Sequence, residues 1–532
     1  MYYLRSDVVM EPLFNQWYAW SFLISPITAA MVSANLHMRL MKSYLDDPDL
    51  HISASQDPNL RGGPFMGYTG PVENVRAALT QMQRDAADVL ELARSIKELD
   101  KIIQTCASGF SLEPLYQEIP ILLKGMVELV YDTHDHASIR FVEPLFYGSS
   151  FYRRDLQSVS LRTSSGDERP FVFSTPRIDG EGEVRLRAPF ADADFDRIFA
   201  MRSAPGSQQD ISELEDRFAL SEDQRSLFRT FFTSATPLLG EDREYRGNGV
   251  RVRYFAHASV LIETAGVTVM LDPIVSYRIE GGVARYTYED LPDRIDYVIL
   301  THGHQDHVML ETLLQIRGRV RTVVVPANSG GSIQDPSLRL MLQAVGFQDV
   351  VELSEFQTLP IAEGSITPLP FFGEHADLDI RSKAAFRVEL AGITFLSVVD
   401  SKNLDPFLYQ RLSEHIGRVD VLFLGMECDG APMSWLYGPL FTQTVDRRKD
   451  QDRRLNGCDF TRARAIVDSF DPKETYVYAM GLEPWLSFIG TIPYDESLRP
   501  VQQAKELVSY CKSKRITSEL LYGSKTFEYR SS

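Results

Sequence analysis

Hydrophobic positions in the first 240 residues recur mainly at three- and four-residue spacing. Beyond residue 250 they gather into short apolar runs separated by turns. The first pattern predicts helices over 11–45, 71–105 and 112–130, with Val89, Leu92, Ile96 and Leu99 as the clearest stripe. Strands are predicted over 138–147, 159–163 and 171–173, followed by helices over 192–203 and 210–235. The polar, glycine-containing stretch 238–248 reads as a linker. From Val250 to Asp272-Pro273 the chain reads as three strands with tight turns. It continues with a strand at 297–300, a helix at 308–317, a strand at 322–326 and a helix at 335–345. Strands follow at 349–353, 365–371, 384–390 and 393–399. The end alternates: strand 420–425, helix 459–469, strand 475–480, helix 498–512 and closing strands near 517–521. Strand clusters separated by helices imply an α/β domain of two sheets packed face to face with helices outside, which gathers strand ends at one edge. The expected organisation is a mainly helical α+β N-terminal domain over 1–240 and this second domain over 241–532.

A chain of 532 residues, 44% hydrophobic and 24% charged, is ordinary for a globular protein of two to four domains. The net charge of -18 argues against a general binder of nucleic acid or of an anionic membrane. Cys106, Cys428, Cys458 and Cys511 form no C-x-x-C pair, which fits a reducing compartment and no disulfide framework. Residues 17–34 are uncharged and approach the length of a membrane span. Pro26 interrupts them, Ser21, Ser25, Thr28 and Ser33 dilute them, and Asp7 and Glu11 spoil a basic flank. A buried or subunit-interface helix is the expectation, with a cytoplasmic location and a homodimer formed through the N-terminal half.

The densest chemistry is Thr301-His-Gly-His-Gln-Asp-His307, directly after the apolar run 297–300. A strand ending at Leu300 can aim His302 and His304 at one point, since alternate residues of an extended segment face the same way. Asp306 and His307 are expected to start the next helix and face a second point. Imidazole nitrogen and carboxylate oxygen suit zinc, iron or manganese, and two groups of ligands suggest two metals. Thr133-His-Asp-His136 imitates the first half of this motif, but no second Asp-His pair follows, and it is read as a polar turn.

From Val250 onward the chain resembles the metallo-β-lactamase fold superfamily. The resemblance rests on His257-Ala-Ser-Val-Leu-Ile with Asp272-Pro273, on the H-x-H-x-D-H motif at 302–307, and on a strand ending in Asp400. It implies an αββα sandwich, a bridging role for Asp400 between two metals, an orienting role for Asp272 and a structural one for His257. Zinc hydrolases of that superfamily carry further histidines where this chain has Gly373-Glu374-His375 and, late in the chain, Gly481, with no histidine after His415. Carboxylate in place of histidine makes the site harder and favours iron or manganese.

With these departures the whole chain resembles the diiron β-hydroxylases of nonribosomal peptide pathways, among them that of chloramphenicol biosynthesis. The resemblance implies His302, His304 and Glu374 on one iron, Asp306 and His307 on the other, and Asp400 on both, with Glu374 and Asp400 as the catalytic carboxylates. It also implies dioxygen as co-substrate, an external electron donor, and hydroxylation of the β-carbon of an aromatic, p-aminophenylalanine-like residue. That residue would be held as a thioester on a nonribosomal peptide synthetase carrier domain. If His375 ligated instead of Glu374, the site would revert towards a dizinc hydrolase of a thioester, lactone or phosphodiester. A non-catalytic binding protein with a structural metal is the third reading. Trp435, Tyr437 and Phe441 are expected in a loop at the metal edge. Asp446-Arg-Arg-Lys-Asp450 with Arg453 and Arg454 is either a basic contact for the carrier or a solvated loop.

Overall fold

Single residues along the strands of the second half alternate between two apolar layers. Val260 and Ile262 face one core and Leu261 the other, and Phe395 and Leu396 likewise part company. This period-two pattern is that of strands covered on both faces. In this computed structural model, which describes residues 1–57, 60, 62–178, 180–240, 242–490 and 494–530, they form two seven-stranded sheets. The first runs Val350–Leu353, Val320–Pro326, Ile295–Ile299, Thr268–Leu271, Ser259–Glu263, Gly249–Ala256, Lys525–Arg530. The second runs Leu359–Ile361, Gly364–Leu369, Ala385–Leu390, Ile393–Ser397, Val421–Gly425, Glu474–Tyr478, Thr517–Leu520.

Val252, Val269, Ile299, Val324, Phe386, Val388, Phe423 and Tyr476 fill the space between the sheets. The helices Phe407–Ile416, Phe460–Phe470 and Arg499–Ser513 pack outside the second sheet through Tyr409, Ile466 and Leu507. Leu310–Ile316 and Leu338–Ala344 cover the first. The expected αββα sandwich is the observed one. Within each sheet a run of parallel strands points its carboxyl ends to the same edge, which is where such sheets place their sites.

The N-terminal half departs further from expectation. Residues 11–45 do not begin as helix: Val8–Phe14 is a strand that turns at Asn15 and Gln16, both with positive φ, into Trp17–Tyr18. Val8–Phe14 is buried throughout and pairs along its length with Gln157–Thr163, and the helical run starts only at Ser21. The 71–105 stripe is two helices, Val72–Asp85 and Ala87–Cys106, interrupted at Ala86. Residues 112–130 are not a helix. Pro114 and Pro120 limit them to one short turn, Gly125 takes φ +75, and Val127–Tyr131 pairs as a strand with Ala137–Phe141.

That second strand stops before the Pro144-led helix Glu143–Tyr147, short of the expected 147. Residues 171–173 form a turn instead of a strand, and 210–235 is two helices, the second capped by Ser221. The strands Glu183–Leu186 and Lys525–Arg530 were not anticipated. Trp17 to Ser33 are buried under the chain's own residues, so this run is not an open subunit interface. Among the described residues no helix is long and apolar enough to cross a membrane.

The two halves share one apolar core and one buried ion network. The Arg169 guanidinium lies 2.9 Å from Glu311 and 3.3 Å from Glu11, and Arg177 holds Glu11 at 2.8 Å. Tyr18 and Tyr277 donate their hydroxyls to Glu311 at 2.8 and 2.9 Å. Replacing Arg169 by Ala leaves Glu311 short of a cation in a dry interior and is expected to destabilise the protein by about 3–5 kcal/mol, read from thermal unfolding. Burial alone would raise the Glu11 carboxyl, yet Arg177 and Arg169 bring it down to about 2 from 4.5. Its contribution is therefore complete above pH 4.5 and lost as pH falls through about 2, and acid unfolding of Glu11→Gln should show a correspondingly weaker pH dependence in that window.

Candidate metal centre

Every residue of the predicted site follows the carboxyl end of a strand. Asp272 follows Thr268–Leu271, the 301–307 loop follows Ile295–Ile299, Glu374 follows Gly364–Leu369 and Asp400 follows Ile393–Ser397. The backbone is left-handed at several of these ends, with φ +50 at His257, +38 at Asp272, +67 at Glu374 and +48 at Val399. Non-glycine residues hold such angles at a cost of about 1–3 kcal/mol each, and such outliers cluster at functional sites. The 301–307 loop folds on His304, whose carbonyl accepts from the amides of His307 and Val308. Asp306 and His307 thus lie in a turn, and the helix begins at Leu310, later than expected.

Asp272 is fully buried and only accepts. It takes the Thr301 amide at 2.8 Å, the Thr301 hydroxyl at 2.6 Å and His307 Nδ1 at 2.8 Å. A carboxylate at Nδ1 fixes the orientation of the His307 ring and turns Nε2 toward Asp400 and His257. Because the Thr301 hydrogen is given to Asp272, its oxygen accepts from His302 Nδ1 at 3.0 Å, and His302 Nε2 is free. That atom is buried without a partner, as is Asp400 Oδ1. Asp400 Oδ2 lies 2.9 Å from His307 Nε2 and 3.7 Å from His302 Nε2, between the two histidines.

His304 presents Nδ1 to Glu374 at 3.0 Å and meets the Tyr437 hydroxyl with Nε2, also at 3.0 Å. Donor atoms of His302, His304, Glu374 and His375 form one cluster, and those of His302, His307 and Asp400 another. A third cluster joins Asp306 and His307 with His257. The Gly481 amide donates to His257 Nδ1 at 3.0 Å, which leaves Nε2 as the donor, 3.2 Å from His307 Nε2 and 3.4 Å from Asp306 Oδ2. His257 therefore orients Asp306 and has no lone pair to give a metal. Burial, with His307 and His304 alongside, pushes His302 well below the ordinary histidine range. Burial would do the same to His307, but Asp400, Asp306 and Asp272 raise it well above that range. Carboxylates thus dominate the second position, and it favours positive charge.

Glu374 and His375 stand side by side, with 2.6 Å between Glu374 Oε2 and His375 Nδ1, and each offers a donor atom to the cluster with His302 and His304. Glu374 lines a cavity of about 570 Å³ together with His304, Asp306, Asp400, Phe171, Phe173 and Trp435. His375 lines a void of about 10 Å³ on the far side, beside Tyr437 and Ser382. Of the aromatic loop residues, Trp435 borders the cavity, Tyr437 supports His304 and Phe441 packs against the core. Arg447, Arg448 and Lys449 are exposed, while Arg453 holds the Ala376 carbonyl beside the site. Thr133–His136 is a hairpin turn in which Asp132 accepts the His134 and His136 amides, remote from any of the clusters. Sequence reasoning passed over Glu427, and it named Thr301 only as part of the motif and Tyr437 only as one of the aromatic residues at the metal edge, without their contacts to His302 and His304. Of those contacts, only that of Thr301 carried a signal, as the residue joining the strand to the motif.

An αββα sandwich that gathers histidines and carboxylates into overlapping donor clusters at one strand edge has the plan of a dinuclear metal enzyme of the metallo-β-lactamase fold. The oxygen-rich donor set, with His302 Nε2 and Asp400 Oδ1 unpartnered, fits two iron ions. Residues 3–237 match the diiron non-heme beta-hydroxylase N-terminal domain and residues 251–428 a beta-lactamase superfamily domain. The chain is 38% identical over 529 residues, 98% of each protein, to the 4-amino-L-phenylalanyl-[CmlP-peptidyl-carrier-protein] 3-hydroxylase of Streptomyces venezuelae. It is similar to the crystal structure of CmlA, a diiron beta-hydroxylase from Streptomyces venezuelae, with TM-score 0.93 and 37% identity over 99% of both chains. A metal-dependent hydrolase of Hyperthermus butylicus shares 30% identity over 109 residues, only 17% of this chain and 46% of that one. The chain belongs to the diiron non-haem β-hydroxylases and is an oxygenase that uses dioxygen.

The role of Asp272 can be measured through metal retention. Asp272→Asn frees the His307 tautomer and is expected to weaken iron binding by about 10–100-fold in chelator competition, with little change in far-UV circular dichroism.

Proposed function

We propose that this enzyme hydroxylates the β-carbon of an aromatic aminoacyl group held as a thioester on a carrier domain of a nonribosomal peptide synthetase. The observation that carries the reading is the cavity itself, which has Glu374, Asp306 and Asp400 on its floor and Phe171, Phe173 and Trp435 on its walls. Such a volume and lining suit an aromatic side chain presented from outside. The relative from Streptomyces venezuelae, named for a 4-aminophenylalanyl group on a peptidyl carrier protein, supports the same substrate class.

In this reading His302, His304 and Glu374 would hold the first iron, Asp306 and His307 the second, and Asp400 would serve both. What the bound pair supplies is reductive activation of dioxygen, with one oxygen atom inserted into the C–H bond and the other leaving as water at the expense of two electrons from an external donor. The chain's own residues set up that event. Asp272 and Thr301 hold His307 and His302 in the tautomers that face the cavity, Tyr437 fixes the His304 ring, and His257 steadies Asp306. His375 meets Glu374 through Nδ1 and orients it. The aromatic walls exclude water and place the benzylic carbon, whose radical the ring stabilises. The two parts divide near residues 240 and 241, and a carrier-bound substrate with four unpaired cysteines supports a cytoplasmic location.

Glu374→Ala is expected to lose iron or its reactivity with dioxygen, while His375→Ala keeps most of its iron. The opposite pattern in metal analysis would reject Glu374 as the ligand. For the reaction, reduced protein is mixed with dioxygen and carriers loaded with phenylalanyl, tyrosyl or 4-aminophenylalanyl groups. Intact mass spectrometry is expected to show a gain of one oxygen atom on at least one of them, and no gain on any counts against the proposed substrate class.

A further inference from the structure

Two residues beyond the strand Val421–Gly425, the side chain of Glu427 turns into the same cavity as Asp306, Glu374 and Asp400. Its Oε2 accepts the Gly430 amide at 2.7 Å, whereas Oε1 is buried and has no partner among the described residues. A side chain at Gly457 would approach the carbonyls of Asp400 and Glu427 at 3.4 and 3.5 Å, so the two acids flank this one glycine. The neighbouring charges are already engaged. Asp429 pairs with Arg499 at 2.6 Å, and the Arg454 guanidinium is spent on the carbonyls of Asp429 and Gly430. A buried carboxylate oxygen without a donor is costly, and it is an unexplained feature of the cavity wall.

We propose that Glu427 is the anionic anchor for the α-ammonium group of the carrier-tethered aminoacyl substrate. The inference rests on the substrate class proposed above. An aminoacyl thioester has lost its carboxylate charge but keeps a free ammonium group on the carbon next to the one that reacts. With the β-carbon over the metal centre and the ring between Phe171, Phe173 and Trp435, the ammonium group must meet the wall close by. Gln305 Oε1 and Asn456 Oδ1 are also unpartnered on this wall but carry no charge; with Glu374, Asp306 and Asp400 assigned to metal and Asp429 paired with Arg499, Glu427 Oε1 is the unpartnered anionic acceptor among the described residues. Burial pushes the Glu427 carboxyl up to about 7, with Asp429 and Asp400 adding to the shift. An ammonium ion beside it reverses that shift and restores the carboxylate. The same arrangement disfavours a free amino acid, whose carboxylate would enter a wall of acids where, among the described residues, the Arg454 guanidinium is already engaged.

The test uses the iron-loaded enzyme and one carrier bearing either the aminoacyl group or its desamino counterpart, a 3-arylpropionyl thioester. Carrier affinity is measured by fluorescence anisotropy and hydroxylation by intact mass. Removing the ammonium group is expected to weaken binding and raise KM by about 10-fold or more, as for loss of a charged hydrogen bond. Glu427→Gln keeps the contact to Gly430 and should impose a similar loss on the aminoacyl carrier, and Glu427→Asp a smaller one. The two losses should not add when the variant meets the desamino carrier. Iron content and thermal unfolding of both variants report whether the site is intact.

Equal losses for both carriers, or undiminished aminoacyl binding by a folded Glu427→Gln, overturn the inference while wild-type hydroxylation leaves the assigned function standing. A wild-type enzyme that hydroxylates no aminoacyl carrier overturns both.

Discussion

The site depends on a single buried carboxylate that never touches a metal position. Asp272 has three donors to satisfy and no water to share them with, and each contact decides something about a neighbour. Its contact with His307 chooses which nitrogen of that ring faces inward. Its contact with the Thr301 hydroxyl turns the oxygen of that group into an acceptor and so chooses the nitrogen of His302. Fixing two tautomers through one acid is economical, because a misplaced proton on either ring would remove a ligand altogether. The left-handed backbone at Asp272 brings the carboxylate back under the following loop, and burial against the sandwich core maintains it there.

Around that anchor the cavity divides its labour by chemistry. Imidazoles and three carboxylates gather at the floor, aromatic rings make the walls, and the late loop at Gly481 is turned to holding His257 by its amide. The superfamily's usual late histidine is thus replaced by backbone. Nitrogen is withdrawn from the second position and a carboxylate-dominated field remains, in keeping with iron and dioxygen chemistry. The hydrolases that share part of this sequence match too little of it to challenge that reading.

Much of the sandwich was legible because its strands are short, apolar and bounded by turns, and because six ligand-type residues stand at strand ends. Contiguity made His302 to His307 obvious, and Asp400 announced itself at the close of Phe395–Val399. Glu374 against His375 was not decidable from order alone, since adjacent residues on a left-handed turn can face either way. Glu427, and the contact that Tyr437 makes with His304, were illegible for another reason: their meaning lies in a convergence of strands far apart in the chain. In the N-terminal half, periodicity misled wherever proline intervened. Pro114 and Pro120 cut short one expected helix and Pro144 one expected strand, whereas the turn at 133–136 is the polar turn it was read as.

The helix Leu310–Ile316, which leaves the metal loop, is buried on every side, and its Glu311 and Gln315 are answered by Arg169, Tyr18 and Arg202 from the first half. Cut away from that half, the sandwich would present an apolar helix and an unanswered acid to water at the very segment that carries the ligands. The second half is consequently no longer a portable module.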